Sequence, residues 1–360
     1  MAVIDQLFDI MLAHGASDLH LAEDKPPKLR LHGRVEVIQN WPALERERLR
    51  GMLEEICDEP RWESFERTGD MDFAYSYPGK ARFRCNFNKQ YTGYGAVFRV
   101  IPSRILTLAE LRAPEVLKSF GDYAAGLVLI TGPTGSGKST TLAGIIDHIN
   151  STYAKHILTI EEPIEFVHPV KKSTIAQREV HIDTPSFSEA LRTASRQDVD
   201  VILVGEMRDL ETINLAVTAA ETGALVFGTL HTNNAIKTID RIIDVFPSDQ
   251  QEQIRSTIAE SLRAICAQLL LRTADGKGRR AAQEILLQTR AVANYIREKK
   301  VSQINQVIMS NKNMGMQLMD DCIEGFLNEG VVDPQEAYMK AIDKERFRGR
   351  LTDPNLKALG

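Results

Sequence analysis

The spacing of apolar residues changes character near residue 126, and that change divides the chain. Before it, Ile4, Leu7, Phe8, Met11 and Leu12 fall on one helical face and predict an amphipathic helix over 1–14, ended by Gly15. From 17 to 38 the pattern turns extended, in Asp18-Leu19-His20-Leu21, Lys28-Leu29-Arg30-Leu31 and Val35-Glu36-Val37-Ile38. Pro26-Pro27 and His32-Gly33 punctuate these runs. A polar helix fits 43–57, and Phe73, Tyr75, Phe83, Phe87, Val97 and Phe98 alternate at strand spacing over 70–100. Residues 1–100 therefore predict a helix–sheet α+β module, and 101–115, with Pro102 and Pro114, read as a linker.

From 126 onward, short apolar runs alternate with helical patterns. Candidate strands are 127–131, 156–161, 174–177, 200–205 and 224–230, which predict a largely parallel sheet with helices packed on it. Residues 247–271 and 290–345 read as helical, so 116–360 is expected to be one α/β domain with a helical C-terminal region. In such sheets ligands sit beyond the carboxyl ends of the strands.

Composition narrows the picture only a little. A length of 360 residues suits two domains, and a net charge of −5 gives no global nucleic-acid footprint. Cys57, Cys85, Cys266 and Cys322 are far apart and form no C-x-x-C pair, which argues against a zinc knuckle or disulfide framework and for a reducing cytosol. Asp5 and Asp9 stand where a signal peptide carries basic residues. No apolar run approaches the roughly eighteen residues of a membrane span, so membrane contact is expected only through a partner.

The chemistry is concentrated at strand ends. Gly132, Pro133, Thr134, Gly135, Ser136, Gly137, Lys138 and Ser139 spell the phosphate loop G-x-x-x-x-G-K-S without mismatch. An apolar strand precedes it and a helical pattern from Thr140 follows, so backbone N–H groups and the helix dipole converge on an anion. Lys138 is expected at the β- and γ-phosphates, and the Ser139 hydroxyl at Mg²⁺. A second strand, Val201-Ile202-Leu203-Val204, ends in Gly205-Glu206 and delivers a carboxylate for water activation or the metal shell. Thr159-Ile160-Glu161-Glu162-Pro163-Ile164-Glu165 puts three carboxylates at a third strand end, where they can join Glu206, or simply form a solvated acidic loop. Gly228-Thr229-Leu230-His231-Thr232-Asn233-Asn234 offers His231 as a γ-phosphate donor, with Thr232 or Asn233 as a helix cap. Arg82 and Arg84, two apart on a strand, and Arg99 give a cationic face that suits arginine fingers, or an ordinary solvated strand.

Taken together these residues resemble the secretion-type hexameric ATPases and, within them, the type IV pilus retraction ATPases of the PilT family. The resemblance runs from Gly15-Ala16-Ser17-Asp18-Leu19-His20-Leu21 through the phosphate loop, the acidic segment and Gln177-Arg178-Glu179-Val180. It continues through Leu203-Val204-Gly205-Glu206-Met207-Arg208-Asp209-Leu210-Glu211-Thr212, Ala220-Glu221-Thr222-Gly223 and His231 to Gly315-Met316-Gln317. It implies a PAS-like α+β domain followed by a RecA-like ATPase domain, in a homo-hexamer. It also implies ATP and Mg²⁺ as ligands, Glu206 as catalytic glutamate, and Ser139, Glu162 and Glu206 around the metal. Glu161, Glu162, Glu165 and His231 would support Mg²⁺ and the γ-phosphate, and Arg82, Arg84 and Arg99 would complete sites around the ring. The implied setting is cytoplasmic, at an inner-membrane pilus platform protein, with a paralogous retraction ATPase as a further partner.

Three departures qualify the resemblance. Glu162 stands where the family usually has Asp, and Ala224 follows Gly223 where it often has His. Ala291-Val292-Ala293-Asn294-Tyr295-Ile296-Arg297-Glu298 keeps only part of the family's retraction motif. Asn233-Asn234 and Gly276-Lys277-Gly278-Arg279-Arg280 are similar to the accessory PilU branch. A main retraction motor, an accessory one and a nucleotide-dependent scaffold all remain open. A pilus assembly ATPase fits less well, lacking here a four-cysteine zinc motif, and a small-molecule kinase leaves the first hundred residues unexplained.

Overall fold

Three hydrophobic clusters organise the computed structural model, which describes residues 3–31, 34–101 and 104–351. The expected turn at His32-Gly33 and the proline at 102 lie outside the described residues. One unit carries the chain up to Arg104 together with Glu162–Val167. The other carries Ile105–Glu161 and the chain from His168 onward.

In the first unit the described strands are β1 (Asp18–Ala22), β2 (Lys28–Leu31), β3 (Arg34–Val37), β4 (Asp70–Tyr77), β5 (Ala81–Gln90) and β6 (Gly93–Ile101). They form an antiparallel sheet in the order β3-β2-β1-β6-β5-β4. Period-two alternation sends Leu19, Phe83, Phe87 and Phe98 to the buried face. There Phe8, from the helix Asp5–Ala13, stacks on Phe83 at 4.2 Å and meets Phe98 edge-on at 5.1 Å. The opposite face carries charge: register aligns Arg30, Asp18, Arg99 and Arg84 in one row across four strands. The polar helix expected over 43–57 is shorter, Arg46–Glu54, and a second helix, Glu59–Thr68, follows it. The local reason is capping. The Asp58 carboxylate accepts from the Arg61 N–H at 3.0 Å, Pro60 sits in the first turn, and Gly69 closes the helix at φ 78°.

In the second unit the described strands are β7 (Gly126–Thr131), β8 (His156–Glu161), β9 (Thr174–Glu179), β10 (Val201–Val204), β11 (Leu225–Leu230), β12 (Leu262–Arg272) and β13 (Arg279–Leu287). The sheet order is β13-β12-β7-β11-β10-β8-β9, parallel except for the β12–β13 hairpin. Leu127, Val128, Leu129 and Ile130 of β7 are fully buried, as a strand covered on both faces requires. Register pairs Thr131 with Leu230, Val204 with Gly228, and Val204 with Ile160. The carboxyl ends of four parallel strands therefore lie along one edge.

The helix expected over 247–271 is corrected. Gln251–Ser261 is helical, but Leu262–Arg272 is strand β12, running parallel to β7. A short apolar run has the same hydrophobicity in either conformation. Here Ala264, Ile265, Cys266 and Ala267 all become buried against β7 and β13, and the sheet takes the segment. The C-terminal part is helical, in Arg290–Arg297, Ile304–Ser310, Met319–Asn328, Pro334–Lys340 and Lys344–Arg348. Among the described residues no helix is long and apolar enough to cross a membrane.

Candidate active site

The phosphate loop leaves the end of β7 and opens the helix Lys138–Thr152. Gly132 sits at φ 144°, and a Cβ there would fall 2.2 Å from the carbonyl oxygen of Gln268, so only glycine fits. Lys138 folds back over its own loop, its Nζ donating to the carbonyls of Gly132 at 2.8 Å and Pro133 at 3.2 Å. An ammonium held by neutral carbonyls inside an anion-shaped turn fits a polyphosphate, whose charged oxygens are stronger acceptors. Thr140 and Thr141 open the helix and line a cavity of about 460 Å³, with Leu106, Arg112, Arg279 and Gln283 among its walls.

Beyond β10, Glu206 receives both prongs of Arg208, Nε to Oε1 at 2.6 Å and the second nitrogen to Oε2 at 2.7 Å. His231, one residue past β11, brings Nε2 to 3.0 Å from the same Oε1. Burial raises the Glu206 pKa, but the hydrogen bond and charge of Arg208, with His231 beside it, outweigh burial and hold the carboxyl below its ordinary value. Glu206 is thus a carboxylate at neutral pH, half-buried and aimed along the same sheet edge as the phosphate loop. Gly205 before it is closely packed: a Cβ would lie 3.1 Å from the Ile160 carbonyl and 3.2 Å from the Glu161 Cα, so a side chain there would push on the end of β8. The Thr229 hydroxyl pins the Gly205 carbonyl, and Asn234 caps the next helix, Ala235–Asp244, by accepting from the Lys237 N–H at 2.8 Å. The capping residue is therefore Asn234 rather than Thr232 or Asn233, because the backbone turns helical one step later.

The acidic segment is divided between the two units. Glu161 ends β8 and accepts from the Thr159 hydroxyl at 2.8 Å and from Gln177 at 3.4 Å. Glu162 and Glu165 belong to the first unit, where Glu165 pairs with Arg84 at 3.8 Å. Among the described residues no group of three His, Cys, Asp or Glu side chains is arranged to hold a metal. Mg²⁺ keeps several waters and takes one or two carboxylates with phosphate oxygens, so the Ser139 hydroxyl and a carboxylate from these strand ends would be enough to hold it. Of the arginines, Arg84 also approaches Asp72 at 3.8 Å, and Arg99 donates to the buried Asp18 at 2.8 Å. Arg82 is the next outward-facing residue of β5 beside Arg84.

Three residues escaped the sequence reading of the site. Arg208 stood inside a quoted motif but had no signal as a Glu206 partner. Gln268, on β12 where the apolar pattern predicts helix, donates to the Ser136 carbonyl at 2.7 Å. Glu284 of β13 is buried and accepts from the Ala235 N–H at 2.8 Å, anchoring the start of the helix after His231. An acid beside a glutamine in an apolar strand was the one visible cue.

Comparison with known proteins gives a consistent result. The family described as Type II/IV secretion system protein matches residues 77–337. The "Type IV pilus retractation ATPase PilT" of Pseudomonas aeruginosa is 51% identical over 344 residues, covering 96% of this chain and 99% of that protein. The "Type IV pilus ATPase PilU" of the same organism is 38% identical over 337 residues, covering 94% and 88%. A crystal structure of the pilus retraction motor PilT with bound ADP superposes with a TM-score of 0.89 at 40% identity, covering 96% of this chain and 98% of that one.

Proposed function

We infer that this chain, which belongs to the type II/IV secretion system proteins and within them to the PilT retraction ATPases, is an ATP-hydrolysing motor that powers type IV pilus retraction and twitching motility. The observation that carries the chemistry is one sheet edge bearing both a phosphate loop and the Glu206–His231 pair 3.0 Å apart. The 51% identity to PilT against 38% to PilU favours the main motor over the accessory one.

In this reading the phosphate loop takes the β- and γ-phosphates, and Lys138 exchanges the Gly132 and Pro133 carbonyls for phosphate oxygens. The nucleoside end enters the cavity beside Thr140 and Thr141. The Ser139 hydroxyl would hold Mg²⁺, which would supply charge neutralisation to the phosphates. Glu206 orients a water for in-line attack. The water oxygen bonds to the γ-phosphorus as the bond from that phosphorus to the bridging oxygen breaks, ADP leaves, and the water's proton ends on the released phosphate. His231 keeps Glu206 in place until the nucleotide arrives, and its Nε2–H then turns from Glu206 to the γ-phosphate. Because Glu206 is held ionised, its part is to orient water more than to store a proton.

Arg82, Arg84 and Arg99 are assigned to the γ-phosphate of a neighbouring subunit in a ring of six, with Glu161, Glu162 and Glu165 supporting magnesium and water. Hydrolysis then changes how one subunit's ATPase unit sits on its neighbour's first unit, a rigid-body switch. The ring would work in the cytoplasm, attached to the inner membrane through a pilus platform protein, with a paralogous ATPase as an optional partner. A deletion strain tests the role. Loss of twitching with excess surface pili is the expected result, and normal motility with normal pili would overturn the main-motor reading. Purified protein without steady-state ATP turnover would return the scaffold alternative.

A further inference from the structure

The β12–β13 hairpin brings two glutamines to the back of the phosphate loop. Gln268 and Gln283 are cross-strand partners, and both are almost fully buried. Three hydrogen bonds hold the Gln268 carboxamide. Its Nε2 donates to the Ser136 carbonyl at 2.7 Å, and its Oε1 accepts from the Thr141 hydroxyl and from Gln283 Nε2, each at 2.8 Å. Gln283 is held in turn, since Gln317 donates to its backbone carbonyl at 2.8 Å. That gives Gly315-Met316-Gln317, a motif with no assigned task, a place in the same network. The backbone of Gln268 is equally close, its carbonyl lying where a Gly132 Cβ would go.

The peptide joining Ser136 to Gly137 is trans, so its C=O and N–H point to opposite sides. Drawing the Ser136 carbonyl onto Gln268 turns the Gly137 N–H the other way. We propose that Gln268 is a positioning residue for nucleotide binding: it fixes the Ser136–Gly137 peptide so that the Gly137 amide faces the phosphates. The inference rests on the phosphate loop being the nucleotide site. Without the bond, the peptide is free to rotate and present a carbonyl oxygen to an anion, replacing an attraction by a repulsion. Gln283 and Thr141 fix which end of the carboxamide faces Ser136, since both donate to Oε1 and leave only Nε2 for the carbonyl. The loop amide meets phosphate in ground and transition states alike, so its loss acts on binding more than on turnover.

Gln268→Glu separates this role from packing. The carboxylate still accepts from Thr141 and Gln283 but cannot donate to Ser136. A protonated glutamic acid can donate, so the defect should depend on pH. Calorimetric titration with ADP and with inorganic pyrophosphate, from pH 6 to pH 9, is the test. The expected result is that both ligands weaken together in Q268E relative to wild type, by about tenfold to a hundredfold at pH 9 and much less at pH 6. In steady state at pH 9 the ATP KM should rise by a similar factor, with kcat changing less than about threefold. Q268M, which keeps the volume and has neither donor nor charge, should weaken both ligands equally at the two pH values. Q268E binding ADP as wild type does at pH 9, or Q268M binding it unchanged, would overturn the proposal. A wild-type protein that binds no ADP would instead defeat the nucleotide site itself.

Discussion

The phosphate loop and the Glu206 cluster lie along one sheet edge, yet they are built by opposite means. The loop is eight consecutive residues whose donors are backbone N–H groups, and its shape is local. The cluster is three side chains, Glu206, Arg208 and His231, from the ends of two parallel strands, and it exists only because β10 and β11 are in register. The difference separates tasks. A backbone cradle binds phosphate whether or not it is reacting. A carboxylate held by two side chains can change partners when γ-phosphate arrives. One wall is suited to affinity, the other to turnover.

The sharpest way to break that division is to remove one group from each wall. Lys138→Ala should weaken ADP binding by about a hundredfold or more, because a charge-assisted donor to phosphate is lost. Glu206→Ala should bind ADP normally and lower kcat by about 10²–10⁴-fold. Equilibrium titration beside steady-state turnover checks both, and a Glu206→Ala protein with wild-type kcat would end the assignment of that residue.

Acid provides the next contrast. Glu206 stays ionised on mild acidification, because its pKa lies below the ordinary value. His168, 9% exposed, has its pKa pushed down to about 4 by burial, with Asp147 opposing and Lys171 reinforcing the fall. It is neutral in the fold but takes a proton near pH 6.5 when unfolded. The unfolded chain therefore binds more protons between those values, and stability falls as pH drops from 6.5 toward 4. The loss should approach about 3 kcal/mol over that window. Thermal melts should show the slope in wild type and a flatter profile in His168→Leu.

Smaller effects sharpen the picture within the turnover wall. His231→Ala should cost about tenfold to a hundredfold in kcat, and less than that in the Glu206→Ala background, since the two side chains act together. Energies that simply add would show that His231 works apart from Glu206. Thr229→Val removes the hydroxyl from the Gly205 carbonyl and should cost about 1 kcal/mol of stability, read by denaturant unfolding.

Much of this is legible in the order of residues alone. The loop's spelling, the apolar strands around it and the switch from α+β to α/β patterning were plain, since each depends on neighbours in the chain. What escaped had a common cause. Residues 262–272 carry the same apolar run whether helical or extended, and only their fit between β7 and β13 decides. Gln268 and Glu284 went unseen with the hairpin that bears them. The second helix of the first unit, Glu59–Thr68, had only Trp62 and Phe65 as buried anchors, too few to set a period.

The sequence alone thus determined that a phosphate loop exists, which strand ends carry acids and a histidine, and which family the chain resembles. Those are properties of local order. Tertiary structure decided which charges meet. It put Arg208 and His231 on Glu206 and Asp18 under Arg99, paired Glu165 with Arg84, and set a glutamine behind the loop. The physical reason is that register and burial act between residues far apart in the chain, and a hydrogen bond is fixed only when both partners have been brought to it.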